Sequence, residues 1–208
     1  MIDKICELLT IRIQKQMPEM DEEKAEVIKY GLELIIGEIP KILLLFIVAA
    51  VLKIGWLVIF AYITMLPYKI VAGGFHLKTN IGCTIGTFVV YFGNVLLSKY
   101  IVIGPIEVKV AIVIATFIYS IIMISIYAPA DTINLPILRK KERKLKKILS
   151  FVFASVTLIL SLIIKNTTLS NILLFNVIIE TTCITRIAYI ITKNEYGYEN
   201  YLKTANTN

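Results

Sequence analysis

The sequence predicts an all-α membrane protein, a polytopic bundle of about six transmembrane spans (range four to six) preceded by an N-terminal amphipathic helix. The 208 residues are 57% hydrophobic, with a mean hydropathy of +0.78, whereas soluble domains are about 45–50% apolar. The excess lies in long runs, each close to the ~20 residues that a bilayer crossing needs. We therefore predict three regions: an amphipathic cytoplasmic region over 1–32, a transmembrane domain over 33–192 and a polar C-terminal tail over 193–208.

The N-terminal region is polar and has apolar residues at near-helical spacing between 3 and 16. A helix of this kind lies on a membrane surface or binds an amphipathic peptide, and on periodicity alone it could equally pack on the protein's own core. The region lacks the long apolar stretch and the small-residue cleavage site of a removed signal peptide. Asp21 is the expected N-cap of a second helix.

The apolar runs define the predicted spans. They lie near residues 34–52, 54–71, 82–100, 108–128, 148–164 and 170–191. Only a short turn at 53–55 separates the first two, which form either two spans or one interrupted span. Glu180 and Arg186 are costly inside the last span, so each is expected to pair or to line a cavity. Their separation of six positions is off-phase on a helix, so each needs another partner.

Charge gives the predicted orientation. The segment 129–147 contains seven cations and two acids: Arg139, Lys140, Lys141, Arg143, Lys144, Lys146 and Lys147 against Asp131 and Glu142. The positive-inside rule places this segment in the cytoplasm, and six spans then put the segment 72–81 and both termini on the same side. The formal net charge of +7 is the usual Lys/Arg surplus of a protein that faces anionic lipid. Nucleic-acid binding is not expected.

One pair of side chains has the chemistry of a cysteine protease. The chain has a single histidine, His76, and three cysteines: Cys6, Cys83 and Cys183. No Cys-x-x-Cys pair or Cys/His cluster exists, so we expect no metal, no cofactor and no disulfide framework. A lone histidine also excludes a His-Glu-x-x-His metalloprotease. His76 and Cys83 follow Gly73 and Gly74 between two predicted spans, where a histidine can act as the base for a cysteine nucleophile.

The spacing of this pair predicts a break in the chain. On a continuous helix, seven positions are about 10.5 Å along the axis, whereas a thiol–imidazole hydrogen bond needs roughly 3 Å. The two glycines can end the preceding helix, and Thr79 or Asn80 can cap the next one. Cys83 would then lie in a first helical turn, where free N–H groups and the helix dipole favour a thiolate. In the alternative interpretation, Cys83 only packs and His76 is merely solvated.

Around these residues the chain resembles the accessory gene regulator B (AgrB) family, the membrane peptidases of peptide quorum-sensing systems. The first match is Gly73-Gly74-Phe75-His76, followed after six residues by Cys83. The second match is the segment 127–136, YAPADTINLP, which precedes the basic run from Arg139. Lys69 stands where family members often have Arg, and Ile133 stands where they often have an acid. Size and span pattern also agree, so the resemblance covers essentially the whole chain.

The resemblance implies a multi-pass protein of the bacterial cell membrane with its active site near the cytoplasmic face. Its catalytic residues would be Cys83 and His76, supported by Gly73 and Gly74. The substrate would be a short signal propeptide with an amphipathic leader and an acidic C-terminal tail. The enzyme would cut before the tail, hold the remainder as a thioester and support its cyclisation to a thiolactone or lactone. The resemblance also implies a homodimer.

Other residues are candidates for supporting roles. Asp131 could orient His76 as a third member of the site, or it could cap a turn after Pro129, and the turn is slightly favoured. The cations that could bind an acidic tail are Lys69, Lys78, Arg139, Lys140 and Lys141, although the positive-inside rule alone also explains the basic run. Two alternatives without catalysis stay open. One is a small transporter that uses the intramembrane charges, and the other is a scaffold or receptor that uses the N-terminal helix.

Overall fold

A computed structural model describes residues 2–17, 21–77, 79–133 and 136–205. The described residues contain no β-strand and form nine helices, α1 (Ile2–Gln16), α2 (Glu22–Val51), α3 (Gly55–Ala72), α4 (Asn80–Tyr100), α5 (Ile106–Tyr127), α6 (Lys140–Ile163), α7 (Thr167–Cys183), α8 (Arg186–Ile191) and α9 (Gly197–Ala205). The predicted all-α class is therefore confirmed. Lys78, one of the predicted cations, lies outside the described residues.

The first of two compact units is Met1–Lys53, in which α1 packs against α2. The predicted cap of the second helix is confirmed, because the Asp21 carboxylate accepts a 2.8 Å hydrogen bond from the Lys24 N–H. Farther along α2, Glu38 and Lys41 form a 2.8 Å ion pair. The predicted turn after the first apolar run is also present: α2 ends at Val51, and Lys53 adopts a positive φ of 58° before α3 begins.

The second unit, Ile54–Asn208, contains the helices that can cross a membrane. Among the described residues, four helical segments are long and apolar enough to do so: Gly55–Ala72, Ile81–Tyr100, Ile106–Tyr127 and Lys140–Ile163. The number lies at the lower end of the predicted range. Many apolar side chains on these helices are exposed, as Ile63, Val89 and Ile118 are, which suits a lipid-facing surface.

Helix α7 lies at the centre of this unit and packs against α3, α4, α5 and α6. It is buried along its length, although several of its inward side chains are polar. Asn176 donates to the Ala61 carbonyl at 3.1 Å and accepts from Asn94 at 2.7 Å, and Asn171 donates to the Ile101 carbonyl at 2.8 Å. Such interhelical hydrogen bonds satisfy polar groups that lipid cannot, so they join α7 to its neighbours.

Two predicted boundaries are wrong. The last apolar run, predicted as one span over 170–191, breaks after Cys183, because Thr185 turns the chain and caps α8 through its hydroxyl. The basic run, predicted as part of a loop over 129–147, is helical from Lys140 onward and forms the first turns of α6. Apolar content does not reveal the cap at Thr185, and a run of lysines and arginines is compatible with both loop and helix.

Candidate active site

The glycine pair ends α3 and joins two loops. Gly73 has a φ of 80°, and a Cβ there would lie 2.1 Å from the Ala130 carbonyl oxygen. The backbones pair at this point: the Gly74 N–H donates to the Ala130 carbonyl at 2.9 Å, and the Ala130 N–H donates to the Ala72 carbonyl at 2.8 Å. Only glycine has both the conformational freedom and the small size for such an approach. The two segments that carry the family-like motifs are therefore in direct contact.

The predicted break between His76 and Cys83 is present. Residues 73–77 are not helical, and α4 begins after Thr79, whose hydroxyl accepts a 3.0 Å hydrogen bond from the Gly82 N–H. Cys83 is the fourth residue of α4, and its N–H donates to the Thr79 carbonyl at 2.9 Å. His76 is exposed and Cys83 is half-buried. The thiol thus lies in the first turn of a capped helix, next to a loop that carries the chain's single histidine.

A buried carboxylate lies behind the non-helical residues 73–77, which we name the glycine loop. Glu180, on α7, is 1% exposed, and neither of its carboxylate oxygens has a hydrogen-bond partner among the described residues. A Cβ on Gly74 would lie 3.8 Å from Glu180 Oε1. The exposed Lys69 interacts electrostatically with Glu180 and with Cys83. Glu180 is therefore a buried countercharge for Lys69.

Asp131 stabilises its own loop. Its Oδ2 accepts a 2.8 Å hydrogen bond from the Ile137 N–H and forms a 2.9 Å ion pair with Arg143, while its Oδ1 has no hydrogen-bond partner among the described residues. Arg143 also donates to the Pro129 carbonyl at 3.3 Å. The carboxylate thus joins the loop after α5 to the start of α6. Its role as a third member of the dyad stays a prediction.

The basic run is exposed at the N-terminal end of α6. Arg139 occupies the N-cap position, Lys140 and Lys141 follow in the first turn, and all three are exposed. Arg143 lies at the same end of the helix and contacts the Asp131 loop, which itself pairs with Gly73. The cations at the start of α6 therefore lie on the same side of the second unit as the glycine loop.

Sequence reasoning missed two contributors to this region. Glu180 was noted only as a costly charge in an apolar run, and the structure places it against Gly74. Asn194 gave no signal at all, yet its side-chain amide donates a 2.9 Å hydrogen bond to the His76 carbonyl. No group of three or more His, Cys, Asp or Glu side chains that could hold a metal ion occurs among the described residues.

Comparisons with known proteins agree on one family. The family model for accessory gene regulator B matches residues 6–185, a range that contains both His76 and Cys83. A protein of Listeria monocytogenes serotype 4a is 23% identical over 198 residues, which covers 92% of each chain. One of Clostridium acetobutylicum is 24% identical over 206 residues, 97% of this chain and 96% of its own. Both are named "Putative AgrB-like protein". No solved structure matches.

Proposed function

Because this chain belongs to the accessory gene regulator B family, whose membership supports a part in processing a quorum-sensing autoinducer, we propose that it is a membrane cysteine endopeptidase. Its substrate is a short signal propeptide with an amphipathic leader and an acidic C-terminal tail. The enzyme cuts before the tail and keeps the remainder as a thioester on Cys83. That thioester is the precursor of a cyclic thiolactone or lactone.

The observation that carries the proposal is the chain break between His76 and Cys83. A continuous helix would separate their attachment points by about 10.5 Å, whereas the described backbone leaves the helix at Gly73 and begins a new one after Thr79. Cys83 then lies where the helix dipole stabilises negative charge on sulfur. A cation, Lys69, interacts with it from the preceding helix. This is an arrangement that activates a cysteine for attack.

In the first step, the imidazole of His76 takes the proton of the Cys83 thiol. The sulfur attacks the carbonyl carbon of the scissile peptide bond, and a tetrahedral intermediate forms. The carbon–nitrogen bond breaks as His76 returns the proton to the departing amine of the acidic tail. One amide is consumed and one thioester on Cys83 is formed, so the histidine ends the step neutral.

In the second step, a Cys or Ser side chain within the bound peptide attacks the thioester. Its proton passes to the Cys83 sulfur, which leaves as a free thiol, and the peptide is released as a ring. Exchange of one thioester for another is nearly balanced in energy, whereas forming a thioester from an amide is uphill. Exclusion of water from the site preserves the intermediate until the ring closes.

The acidic tail of the substrate meets cations near the site. Lys69 is exposed and interacts electrostatically with Cys83, so in this proposal it attracts a carboxylate close to the scissile bond. Arg139, Lys140 and Lys141 are exposed at the end of α6, where they add a broader positive field. Replacement of these cations is expected to weaken binding of the propeptide more than the rate of the bound complex.

The direct test is co-expression with a candidate propeptide. Cys83→Ala and His76→Ala should each abolish cleavage, because each removes one half of the dyad. Cys6→Ala, which changes a buried cysteine of the first unit, should cleave like the wild type. Unimpaired cleavage by either dyad variant would remove the proposal and favour a protein without catalysis. A suitable propeptide gene is expected beside the gene for this chain.

A further inference from the structure

A C-terminal segment contacts the loop that carries His76. We name residues 184–203, which comprise α8, the following turn and most of α9, the C-terminal clamp. The side-chain amide of Asn194 in this clamp donates a 2.9 Å hydrogen bond to the backbone carbonyl of His76. This bond uses only the backbone carbonyl of residue 76 and does not involve the imidazole. Almost all of the clamp lies beyond the residues 6–185 that the family model matches.

Asn194 is itself held in place by the turn in which it lies. Lys193 adopts a positive φ of 54°, and the Asn194 N–H donates to the Tyr189 carbonyl at 2.8 Å. The same side-chain amide donates to the Thr192 hydroxyl at 2.9 Å. A donor with its orientation set in this way loses little entropy when it binds a carbonyl. The contact with His76 is therefore built into the turn.

The clamp also contacts the loop that contains Asp131. The Tyr189 hydroxyl donates to the Asp131 carbonyl at 3.0 Å in a buried position, and a Cβ on Gly197 would lie 2.2 Å from the Thr132 carbonyl oxygen. The rings of Tyr189 and Tyr196 stack with centroids 4.1 Å apart. The loop that contains Asp131 also pairs with Gly73. The glycine loop is therefore held at two points, the glycine pair and residue 76.

We propose that Asn194 is a positioning residue, which holds the loop so that residue 76 stays within reach of Cys83. The inference rests on the proposed function, since it assigns Asn194 a part in the same site. It does not make Asn194 a catalytic residue, because the amide touches the backbone and not the reacting atoms. Asn194, in the turn between α8 and α9, thereby belongs to the active site, whereas the rest of the clamp holds this turn in place.

The test measures the rate at which a disulfide forms between positions 76 and 83, which reports how often the two positions meet, and it needs no substrate. In a chain with Cys6→Ser and Cys183→Ser, the replacement His76→Cys leaves two thiols, which diamide can oxidise to a disulfide. The Asn194 bond survives this replacement because its acceptor is a backbone carbonyl. Adding Asn194→Ala should slow disulfide formation about five-fold, the factor expected for the loss of one hydrogen bond.

Asn200→Ala is the matched control. It removes an amide from the same clamp, in α9, and should leave the rate of disulfide formation unchanged. Equal rates with and without the Asn194 amide would overturn the proposal, as would a parent chain in which no disulfide forms. Equal slowing by both variants would also overturn it, because that result indicates general loosening of the clamp.

A cleavage assay separates this inference from the proposed function. In the otherwise native chain, Asn194→Ala should lower kcat about five-fold with little change in KM, because the proposal gives Asn194 a part in positioning residue 76 and none in binding the substrate. If Asn194→Ala slows disulfide formation but His76→Ala cleaves the propeptide like the wild type, the inference holds and the proposed function is wrong. If cleavage depends on His76 and the disulfide rate is unchanged, only the inference fails.

Discussion

Gly73 is the residue on which the pairing of the two motif loops depends. Its φ of 80° is unfavourable for any residue with a Cβ, and the Ala130 carbonyl occupies the space that a Cβ would need. We expect Gly73→Ala to destabilise the protein by about 2 kcal/mol or more and to abolish cleavage. Thermal unfolding in detergent, together with the cleavage assay, measures both effects.

The matched control is Gly93→Ala in α4, where a Cβ would meet no atom within 4 Å. Alanine in a helix interior is favoured over glycine by about 0.5–1 kcal/mol, so this variant should be as stable as the wild type or slightly more stable. Equal destabilisation by both changes would contradict the role of Gly73. The sequence predicted that this glycine ends a helix, but its contact with Ala130 is a tertiary feature that local rules do not contain.

Glu180 is a second residue with an uncommon environment. A carboxylate that is 1% exposed and without hydrogen-bond partners on either oxygen opposes folding unless its charge is compensated. Lys69 interacts electrostatically with this carboxylate, and removing one partner of a buried charge pair is destabilising. We therefore expect Glu180→Met to lower the free energy of unfolding by about 1 kcal/mol or more, as measured by thermal unfolding in detergent.

The control for this change is Glu195→Met, which removes the same charge from an exposed position in the second unit. Surface substitutions of this kind change stability by only about 0.5 kcal/mol. Stability of Glu180→Met equal to or above that of the wild type would contradict a pairing between Glu180 and Lys69. The sequence indicated that a charge at position 180 is costly, but its neighbours on α3 and in the glycine loop emerge only from the packing.

At the scale of elements, the start of α4 determines where Cys83 lies. The Thr79 hydroxyl caps this helix at 3.0 Å, and loss of such a cap costs about 1 kcal/mol. Thr79→Ala should fray the first turn and slow alkylation of Cys83 by iodoacetamide several-fold. Asn166→Ala removes an equivalent cap from α7, at the end of the helices opposite Cys83. This variant should leave the alkylation rate unchanged. Similar rates in all three proteins would contradict the importance of the cap.

Local sequence signals predict some helix boundaries and miss others. Glycine and capping residues correctly predicted the end of α3, the start of α4 and the Asp21 cap of α2, because each depends on the conformation of a few adjacent residues. The break at Thr185 was missed, since the apolar run continues across it and hydropathy does not detect a cap. The helical start of the basic run was missed for a similar reason: a run of lysines and arginines is compatible with both loop and helix.

At the scale of the whole second unit, three segments that are far apart in sequence meet on one side. They are the glycine loop, the loop that contains Asp131 and the C-terminal clamp, joined by the Gly73–Ala130 pairing and by hydrogen bonds from Asn194 and Tyr189. The sequence predicted a shared side for the first two through the alternation of spans. It did not predict their direct pairing, because backbone contacts between loops follow from the packing of helices.

Sidedness can be tested with single cysteines. In a chain that keeps only Cys83, a membrane-impermeant thiol reagent should label inside-out vesicles and not intact cells if the positive-inside rule holds for the basic end of α6. A matched chain with Gly104→Cys as its single cysteine places the thiol between α4 and α5, at the opposite end of α4, and should be labelled in intact cells. The reverse pattern would show that the orientation is inverted.

If His76 activates Cys83 to form an acyl-enzyme, the intact mass of the protein should change after incubation with propeptide. A propeptide whose internal Cys or Ser is replaced by alanine cannot close the ring, so the intermediate should accumulate. We expect a mass increase equal to the propeptide without its tail, located on Cys83, released by neutral hydroxylamine and absent in His76→Ala. Cleavage of the propeptide with no adduct on Cys83, or an adduct that forms equally well without His76, would contradict this expectation.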